Sequence, residues 1–180
     1  QDGKPFRRRA AQHNFGIAVD LPGADGRRSL VVPNVKDAGT MDFRTFFLAC
    51  NRQIEKARAG KLSPADFADT TCTLTNPGTI GTDSSLPRLM VGQSFILATG
   101  AIAVPSAFSG ASEQTLTELG IGRSMVLSST YDHRVIQGAE SGGFLATIDA
   151  FLEGDEGFYD EVRQSLVLAP ARPEPAAAPV

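Results

Sequence analysis

The stretch TYDHRVIQGAESGGFL, residues 130–145, places a histidine between an acid and a base and then begins a helix. A strand-like run at 124–129 precedes it, and from Gly138 the apolar residues fall on one face of a helix predicted to end near residue 153. A loop at the end of a strand is where a rigid scaffold can present a reactive side chain. His133 is therefore a candidate catalytic residue; the structural alternative is a histidine that only holds its turn by hydrogen bonds.

Outward from this stretch, the apolar periodicity predicts strands and helices in mixed order. Strands are predicted at 14–19, 29–32, 71–75 and 95–104, with a hairpin turn at 21–28 and a bend at Gly100. Helices are predicted from an N-cap at Thr40 to Gly60, at Ser63-Pro64, at 112–119 and at 156–166. Because these elements interleave without strict βαβ alternation, the class is α/β or α+β with a mixed sheet.

The composition limits the partners that the chain can have. Its 180 residues, 42% of them hydrophobic, suit one domain with a real core. With 17 basic and 20 acidic residues and a net charge of −3, nucleic acid is not expected as the main partner. The longest apolar runs reach about half of the roughly 20 residues needed to cross a bilayer, and the first residues hold no signal-peptide core. A cytoplasmic protein without membrane contact is therefore expected.

The two ends of the chain differ in composition from its middle. Residues 1–12 are polar and are expected to form a loop or the remnant of a hairpin. Their Arg7-Arg8-Arg9 cluster is interpreted as a solvated arm, with contact to a coenzyme phosphate or a neighbouring subunit as the alternative. Residues 13–168 form the expected domain, and the Ala- and Pro-rich residues 169–180 are expected to be a linker or tail.

Several common chemistries lack their motifs in this sequence. It contains no G-x-S-x-G elbow, no P-loop and no complete dinucleotide-binding fingerprint. Two histidines are too few for a histidine metal site, and no metal is expected. His13 lies in a polar stretch before a strand and is assigned a structural role. Cys50 and Cys72 fall in apolar patterns, which predicts buried free thiols rather than a disulfide.

The pattern Tyr-Asp-His-Arg-x-x-x-Gly in residues 131–138 resembles the signature of the lipoamide acyltransferases of 2-oxoacid dehydrogenases. Four other segments resemble that family in the same order: NFGIAVD (14–20), SLVVPNVKDAGTMDF (29–43), KARAGKLSPADF (56–67) and TCTLTNPGTIGTDSSLPRLMVGQSFILATGAI (71–102). The resemblance covers about residues 13–166, and segments in a shared order are stronger evidence than a single motif.

This resemblance implies a fold and an assembly. The fold is the chloramphenicol-acetyltransferase-like, coenzyme A-dependent α/β sandwich with a mixed sheet, incomplete at its N-terminus because the family's domain begins well before residue 1. The assembly is a homotrimer with active sites between subunits. The reaction is acyl transfer between dihydrolipoamide and coenzyme A. The lipoyl group would come from a lipoyl-bearing domain or another protein, since the sequence shows no obvious lipoyl-lysine segment.

The resemblance also implies roles for particular residues. The family's general base is the histidine of Asp-His-Arg, here His133, which would take the proton of a thiol. The family's oxyanion donor is a Ser or Thr at the end of the strand before the Asn-Pro-Gly turn, here Thr75. Asp132 and Arg134 are expected to hold the histidine loop. Asn76, Pro77 and Gly78 are expected to shape the turn that carries Thr75.

Gln137 departs from the family pattern, which has Asp or Asn four residues after the histidine. Gln137 and the insert at 105–122 make the chain resemble the acyltransferase domain of the actinobacterial-type fused 2-oxoglutarate dehydrogenases. That resemblance implies succinyl as the acyl group. It also implies a thiamine-dependent 2-oxoglutarate dehydrogenase component, whose thiamine diphosphate and magnesium lie outside these residues.

Two alternatives to this function stay open. The first is a catalytically idle trimerisation module, which Gln137 favours and the intact Asp-His-Arg and Thr75 oppose. The second is an acetyltransferase that acts on a small molecule such as an antibiotic, which the order of the segments disfavours.

Overall fold

The computed structural model describes residues 3–167 of the chain, apart from residues 5, 8 and 24. Its strands are β1 (Phe15–Ile17), β2 (Val19–Pro22), β3 (Arg28–Val31), β4 (Asn34–Val35), β5 (Cys72–Thr75), β6 (Phe95–Thr99) and β7 (Leu127–Tyr131). Its helices are α1 (Phe43–Arg58), α2 (Glu113–Glu118), α3 (Gly138–Glu153) and α4 (Phe158–Ser165). The predicted tail at 169–180 lies outside the described residues.

Five of the strands form one mixed sheet in the order β4-β1-β5-β6-β7. The three central strands are parallel, and β4 and β7 run antiparallel to their neighbours. The strands β2 and β3 form a separate antiparallel pair, as the hairpin pattern predicted. The mixed-sheet α/β class is therefore confirmed.

The helices α1 and α3 cover one face of this sheet. The Phe15 and Phe46 rings meet edge to face at 5.4 Å between their centroids. Phe95 and Phe144 meet in the same way at 5.1 Å. Because side chains alternate along a strand, the residues paired with Phe15 and Phe95 face the helices, and Thr75 faces the opposite side.

The connection between β5 and β6, residues 76–94, passes over the face opposite the helices. The Thr73 hydroxyl donates a hydrogen bond to Gln93 Oε1 at 2.6 Å, and Thr73 is fully buried beneath this connection. Four large apolar side chains of the connection nevertheless remain exposed: Ile80, Leu86, Met90 and Val91. This face of the chain is therefore only partly covered by its own residues.

Several predicted boundaries were wrong. The predicted strand 14–19 breaks at Ala18, since Val19 leaves the main sheet to pair with Val31 of β3. Helix α1 is capped by Asp42 rather than Thr40: the Thr45 N–H donates to Asp42 Oδ1 at 2.7 Å, and residues 38–40 form a 3-10 turn.

The strands that lead to and from the insert were also placed wrongly. Strand β6 ends at Thr99 instead of Val104. Beyond it the Gly100 N–H donates to the Val126 carbonyl at 2.8 Å, and an isolated bridge joins Ala103 to Ser124. Strand β7 begins at Leu127, three residues later than the predicted strand 124–129. Its last residue is Tyr131. The insert itself holds α2, capped by Ser112, where a helical turn was predicted.

Both cysteines are free thiols, as predicted, and both are half-buried. Burial raises the pKa of the Cys50 thiol to about 11 and also raises the pKa of Cys72. Neither sulfur is therefore suited to act as a thiolate nucleophile at neutral pH. Across the described part of the chain, no helix has both the length and the apolar content to cross a bilayer.

Candidate active site

His133 lies on a tight turn between β7 and α3. The Asp132 N–H donates to the Ser94 carbonyl at 2.9 Å, which extends the pairing of β7 with the chain before β6. The N–H groups of Val135 and Ile136 both donate to the Asp132 carbonyl at 3.0 Å and reverse the chain. The His133 side chain is exposed at the tip of this turn. A backbone held on both sides thus presents an accessible imidazole.

Asp132 and Arg134 bind each other across the histidine. Arg134 donates to Asp132 Oδ1 from its backbone N–H at 3.0 Å and from Nε at 2.9 Å, and to Oδ2 from Nη2 at 2.6 Å. These hydrogen bonds lower the pKa of the Asp132 carboxyl to about 2, the side-chain bond being the largest cause. The pair therefore stays ionised at any pH at which a neutral imidazole can accept a proton.

Tyr131 contacts His133 from the end of β7. The two ring centroids are 5.4 Å apart, with the rings tilted by 49°. The Tyr131 hydroxyl lies beside the first residue of α3, 3.5 Å from where a Cβ on Gly138 would stand. The sequence pattern contained this tyrosine but gave no reason to assign it a role.

Gln137 is the N-cap residue of α3. Its backbone N–H donates to Glu140 Oε2 at 2.7 Å, which satisfies one of the free donors at the start of the helix. Its side chain is exposed. The position that departs from the family pattern is thus a helix cap directly after the histidine turn.

Thr75 is the last residue of β5, and the turn that follows it is held by backbone contacts. Residues Pro77–Ile80 form a 3-10 turn, within which the Thr79 hydroxyl donates to the Asn76 carbonyl at 3.0 Å. A Cβ on Gly78 would overlap the Gly100 carbonyl oxygen, and a Cβ on Gly100 would overlap the Asp83 carbonyl oxygen. Two glycines therefore let the turn lie directly on the end of β6.

The structure does not bring Thr75 and His133 together within one chain. In the strand register, Thr75 of β5 pairs with Ala98 of β6, and Ala98 pairs in turn with Ser128 of β7. Tyr131 of β7 pairs instead with Phe95, at the other end of β6. At about 3.3 Å per residue along a strand and about 4.8 Å between strands, the Cα atoms of Thr75 and Tyr131 are about 14 Å apart. Asp132 continues the strand away from Thr75, so His133 is farther still. The two candidate groups lie at opposite ends of the sheet.

A groove of about 630 Å³ opens beside the histidine turn. Its wall is formed by residues 10–12, by Asp69 and its neighbours, by 92–94, and by Asp132 and Arg134. His13 lies nearby but is held against Gly39, and its carbonyl accepts the Ala38 N–H at 2.7 Å. Among the described residues, no group of three or more His, Cys, Asp or Glu side chains could hold a metal ion.

Residues 4–158 match the family model described as 2-oxoacid dehydrogenases acyltransferase (catalytic domain). A multifunctional 2-oxoglutarate metabolism enzyme from Mycolicibacterium vanbaalenii is 54% identical over 165 residues, which are 92% of this chain and 13% of that protein. The chain thus spans only a small part of the curated relatives it matches.

Two solved structures share the fold. A probable dihydrolipoamide acetyltransferase from Listeria monocytogenes has a TM-score of 0.63 and 29% identity, over 80% of this chain and 57% of that one. A dihydrolipoamide acetyltransferase from Azotobacter vinelandii, studied for the role of a serine, a histidine and an asparagine in its catalytic mechanism, has a TM-score of 0.60 and 27% identity, over 88% and 58% of the two chains. In that protein the histidine and the asparagine are four residues apart. The chain therefore belongs to the 2-oxoacid dehydrogenase acyltransferase family, with residues 4–158 matching its catalytic domain.

Proposed function

We propose that this chain is the acyl-transfer part of a 2-oxoglutarate dehydrogenase and moves succinyl from dihydrolipoamide to coenzyme A. The observation that carries the proposal is the 54% identity to a multifunctional 2-oxoglutarate metabolism enzyme over 92% of the chain. The Asp-His-Arg turn and the Thr75 turn both lie within residues 4–158, which match the family model. The succinyl group follows from 2-oxoglutarate, whose oxidative decarboxylation leaves a succinyl unit.

In this proposal His133 is the general base. It takes the proton of the coenzyme A thiol as the sulfur attacks the carbonyl carbon of the succinyl thioester. The tetrahedral intermediate then collapses, the carbon–sulfur bond to dihydrolipoamide breaks, and the imidazolium returns the proton to the departing sulfur. The exposed position of His133 on a tightly bonded turn supports this role, since both substrates must reach it.

Thr75 is proposed to donate a hydrogen bond from its hydroxyl to the oxyanion of that intermediate. Reacting groups must approach to about 3–3.5 Å, whereas the strand register holds Thr75 and His133 of one chain far apart. A second copy of the chain must therefore supply one of them. The exposed apolar side chains of Ile80, Leu86 and Val91 on the connection after Thr75 support a subunit interface there. We propose a homotrimer in which each active site lies between two subunits.

The remaining partners follow from the same proposal. The lipoyl group comes from a lipoyl-bearing domain, and the succinyl group from a thiamine-dependent 2-oxoglutarate dehydrogenase component of the same cytoplasmic polypeptide. Asp132, Arg134, Asn76 and Gly78 are supporting residues that hold the two turns. Gln137 follows His133 by four residues, the same spacing that separates the histidine and the asparagine of the Azotobacter vinelandii enzyme.

A complementation experiment tests the shared site. His133→Ala and Thr75→Ala chains of the full-length polypeptide should each be nearly inactive alone. When the two are coexpressed in equal amounts, a site works only if one neighbour supplies the histidine and the other the threonine, so about a quarter of the sites should recover. The measurement is succinyl-coenzyme A formation from succinyl-dihydrolipoamide, per mole of protein, across mixing ratios.

Two results would contradict the proposal. Mixed assemblies that form, as shown by differently tagged chains, but stay inactive at every ratio would place both residues in one subunit's site. A monomer by light scattering would exclude the trimer. A wild-type protein that assembles but transfers no succinyl would instead favour the idle trimerisation module, and transfer of acetyl to a small molecule in preference to dihydrolipoamide would favour the other alternative.

Gln137→Asp tests whether the departure from the family pattern weakens the site. Asp is a better N-cap than Gln and its charge suits the start of a helix, although Glu140 stands close by. We expect kcat to change by less than about threefold and thermal stability to rise by up to about 1 kcal/mol. Gln137→Asn is the uncharged control. A tenfold gain in kcat would mean that Gln137 marks a weakened active site.

A further inference from the structure

The ring of Tyr131 is the feature of the histidine turn that the proposed reaction leaves unused. It lies 5.4 Å from the His133 imidazole, centroid to centroid, at a tilt of 49°. The charged neighbours of the histidine are otherwise engaged: Asp132 and Arg134 bind each other, and Glu140 accepts from the Gln137 backbone. The turn fixes the backbone of His133, but none of these contacts fixes the imidazole itself.

Tyr131 is well placed to fix the imidazole of His133 because its own backbone is paired in the sheet. It is the last residue of β7, half-buried, and its backbone pairs with Phe95 of β6. Its hydroxyl end lies beside Gly138 at the start of α3. A half-buried side chain whose backbone is paired in the sheet and whose hydroxyl end lies beside the helix provides a firm surface for an exposed neighbour two residues on.

The Tyr131 ring also limits the directions in which the imidazole can turn. Aromatic rings pack favourably with their centroids about 4.5–7 Å apart, and the Tyr131 and His133 centroids are 5.4 Å apart. Tyr131 therefore favours one orientation of the His133 imidazole. A leucine at position 131 would keep the strand but offer neither a flat face nor a π system.

Resting on the proposed function, we propose that Tyr131 is a positioning residue that holds the His133 imidazole in its reactive orientation during acyl transfer. Tyr131→Leu in the full-length polypeptide should lower kcat by about tenfold or more, since small misplacements of a catalytic group are costly. The KM values for coenzyme A and succinyl-dihydrolipoamide should stay within about twofold, because Tyr131 acts on the base and not on substrate binding. Tyr131→Phe should keep at least about a third of kcat, because it retains the ring.

Two further variants separate this role from general stability. Tyr159→Leu removes the chain's other tyrosine, which donates to the Leu152 carbonyl in a different part of the fold, and should leave kcat unchanged. Tyr131→Leu in a His133→Ala background should cause no further loss, since a residue that acts through His133 has nothing left to position.

The outcomes distinguish the two proposals. If His133→Ala is fully active, the proposed function fails. If His133→Ala is inactive but Tyr131→Leu keeps full kcat, or if Tyr131→Phe is as slow as Tyr131→Leu, the role of Tyr131 fails and the general base stands. A Tyr131→Leu protein that loses its cooperative thermal transition would be replaced by Tyr131→Met, for which the same contrast with Tyr131→Phe must hold.

Discussion

His133→Ala should lower the rate of succinyl transfer by about 100- to 10,000-fold, the range that general acid–base catalysis contributes. The loss should fall on kcat, because the imidazole acts on the proton that moves in the transition state and not on the binding of either substrate. The measurement is steady-state formation of succinyl-coenzyme A by the full-length polypeptide. The neighbouring carboxylate Asp132 would be a poor substitute base, since its bonds to Arg134 lower its pKa to about 2 and so weaken its hold on a proton.

Stability supplies the control for this variant. His133 is exposed, so its removal should change the free energy of unfolding by no more than about 1–2 kcal/mol. His13→Ala is the matched variant, because it removes the other histidine, which is exposed and held against Gly39. Activity of His133→Ala within a factor of two of wild type would falsify the mechanism, whatever the behaviour of His13→Ala.

The elements around His133 could be predicted because strong local signals coincide there. The predicted helix 138–153 agrees with α3 in both bounds, since its apolar face and the glycine at 154 define it without tertiary information. The bounds of strand β7 could not be predicted in the same way. Its hydroxyl-rich residues 128–130 form a strand because they pair with β6, and their own propensity does not indicate one. The strand was therefore predicted too early, at 124–129.

The boundaries that could not be predicted depend on contacts between distant segments. Thr40 and Asp42 are both good N-cap residues, and only the fold shows that Asp42 accepts the Thr45 N–H. An apolar run through Gly100 suggests a continuous strand, but the Asp83 carbonyl lies where a side chain at 100 would stand. Such backbone packing leaves no periodic trace in the sequence.

The residues of the candidate site could be predicted from the sequence, but the contacts between them could not. The sequence, through its family resemblance, named His133 and Thr75 and expected them to come from different subunits. The physical support for that expectation appears only in the strand register, which directs the end of β5 and the end of β7 to opposite ends of one sheet. The contact between Tyr131 and His133 could not be predicted either. Residues two apart share a face on a strand, but in general they do not on a turn.

Thr75→Ala should reduce kcat by about 100- to 1000-fold, the usual cost of removing one oxyanion donor. Thr75→Val should be about as slow, although it keeps the branched shape that suits the end of β5. Thr75→Ser should lose far less, since it retains the hydroxyl. The three substitutions together separate the hydroxyl from the methyl group, which a single alanine variant cannot do.

The Thr75 series also needs a control for the turn that carries it. Thr79→Ala removes the hydrogen bond from the Thr79 hydroxyl to the Asn76 carbonyl but leaves Thr75 intact. If that bond only supports the turn, Thr79→Ala should lower kcat by less than about fivefold, consistent with the modest net value of one exposed hydrogen bond. Equal rates for Thr75→Ser and Thr75→Ala, with Thr79→Ala unaffected, would reassign Thr75 to strand packing. The oxyanion donor would then have to be sought among the groups that a neighbouring subunit brings to His133.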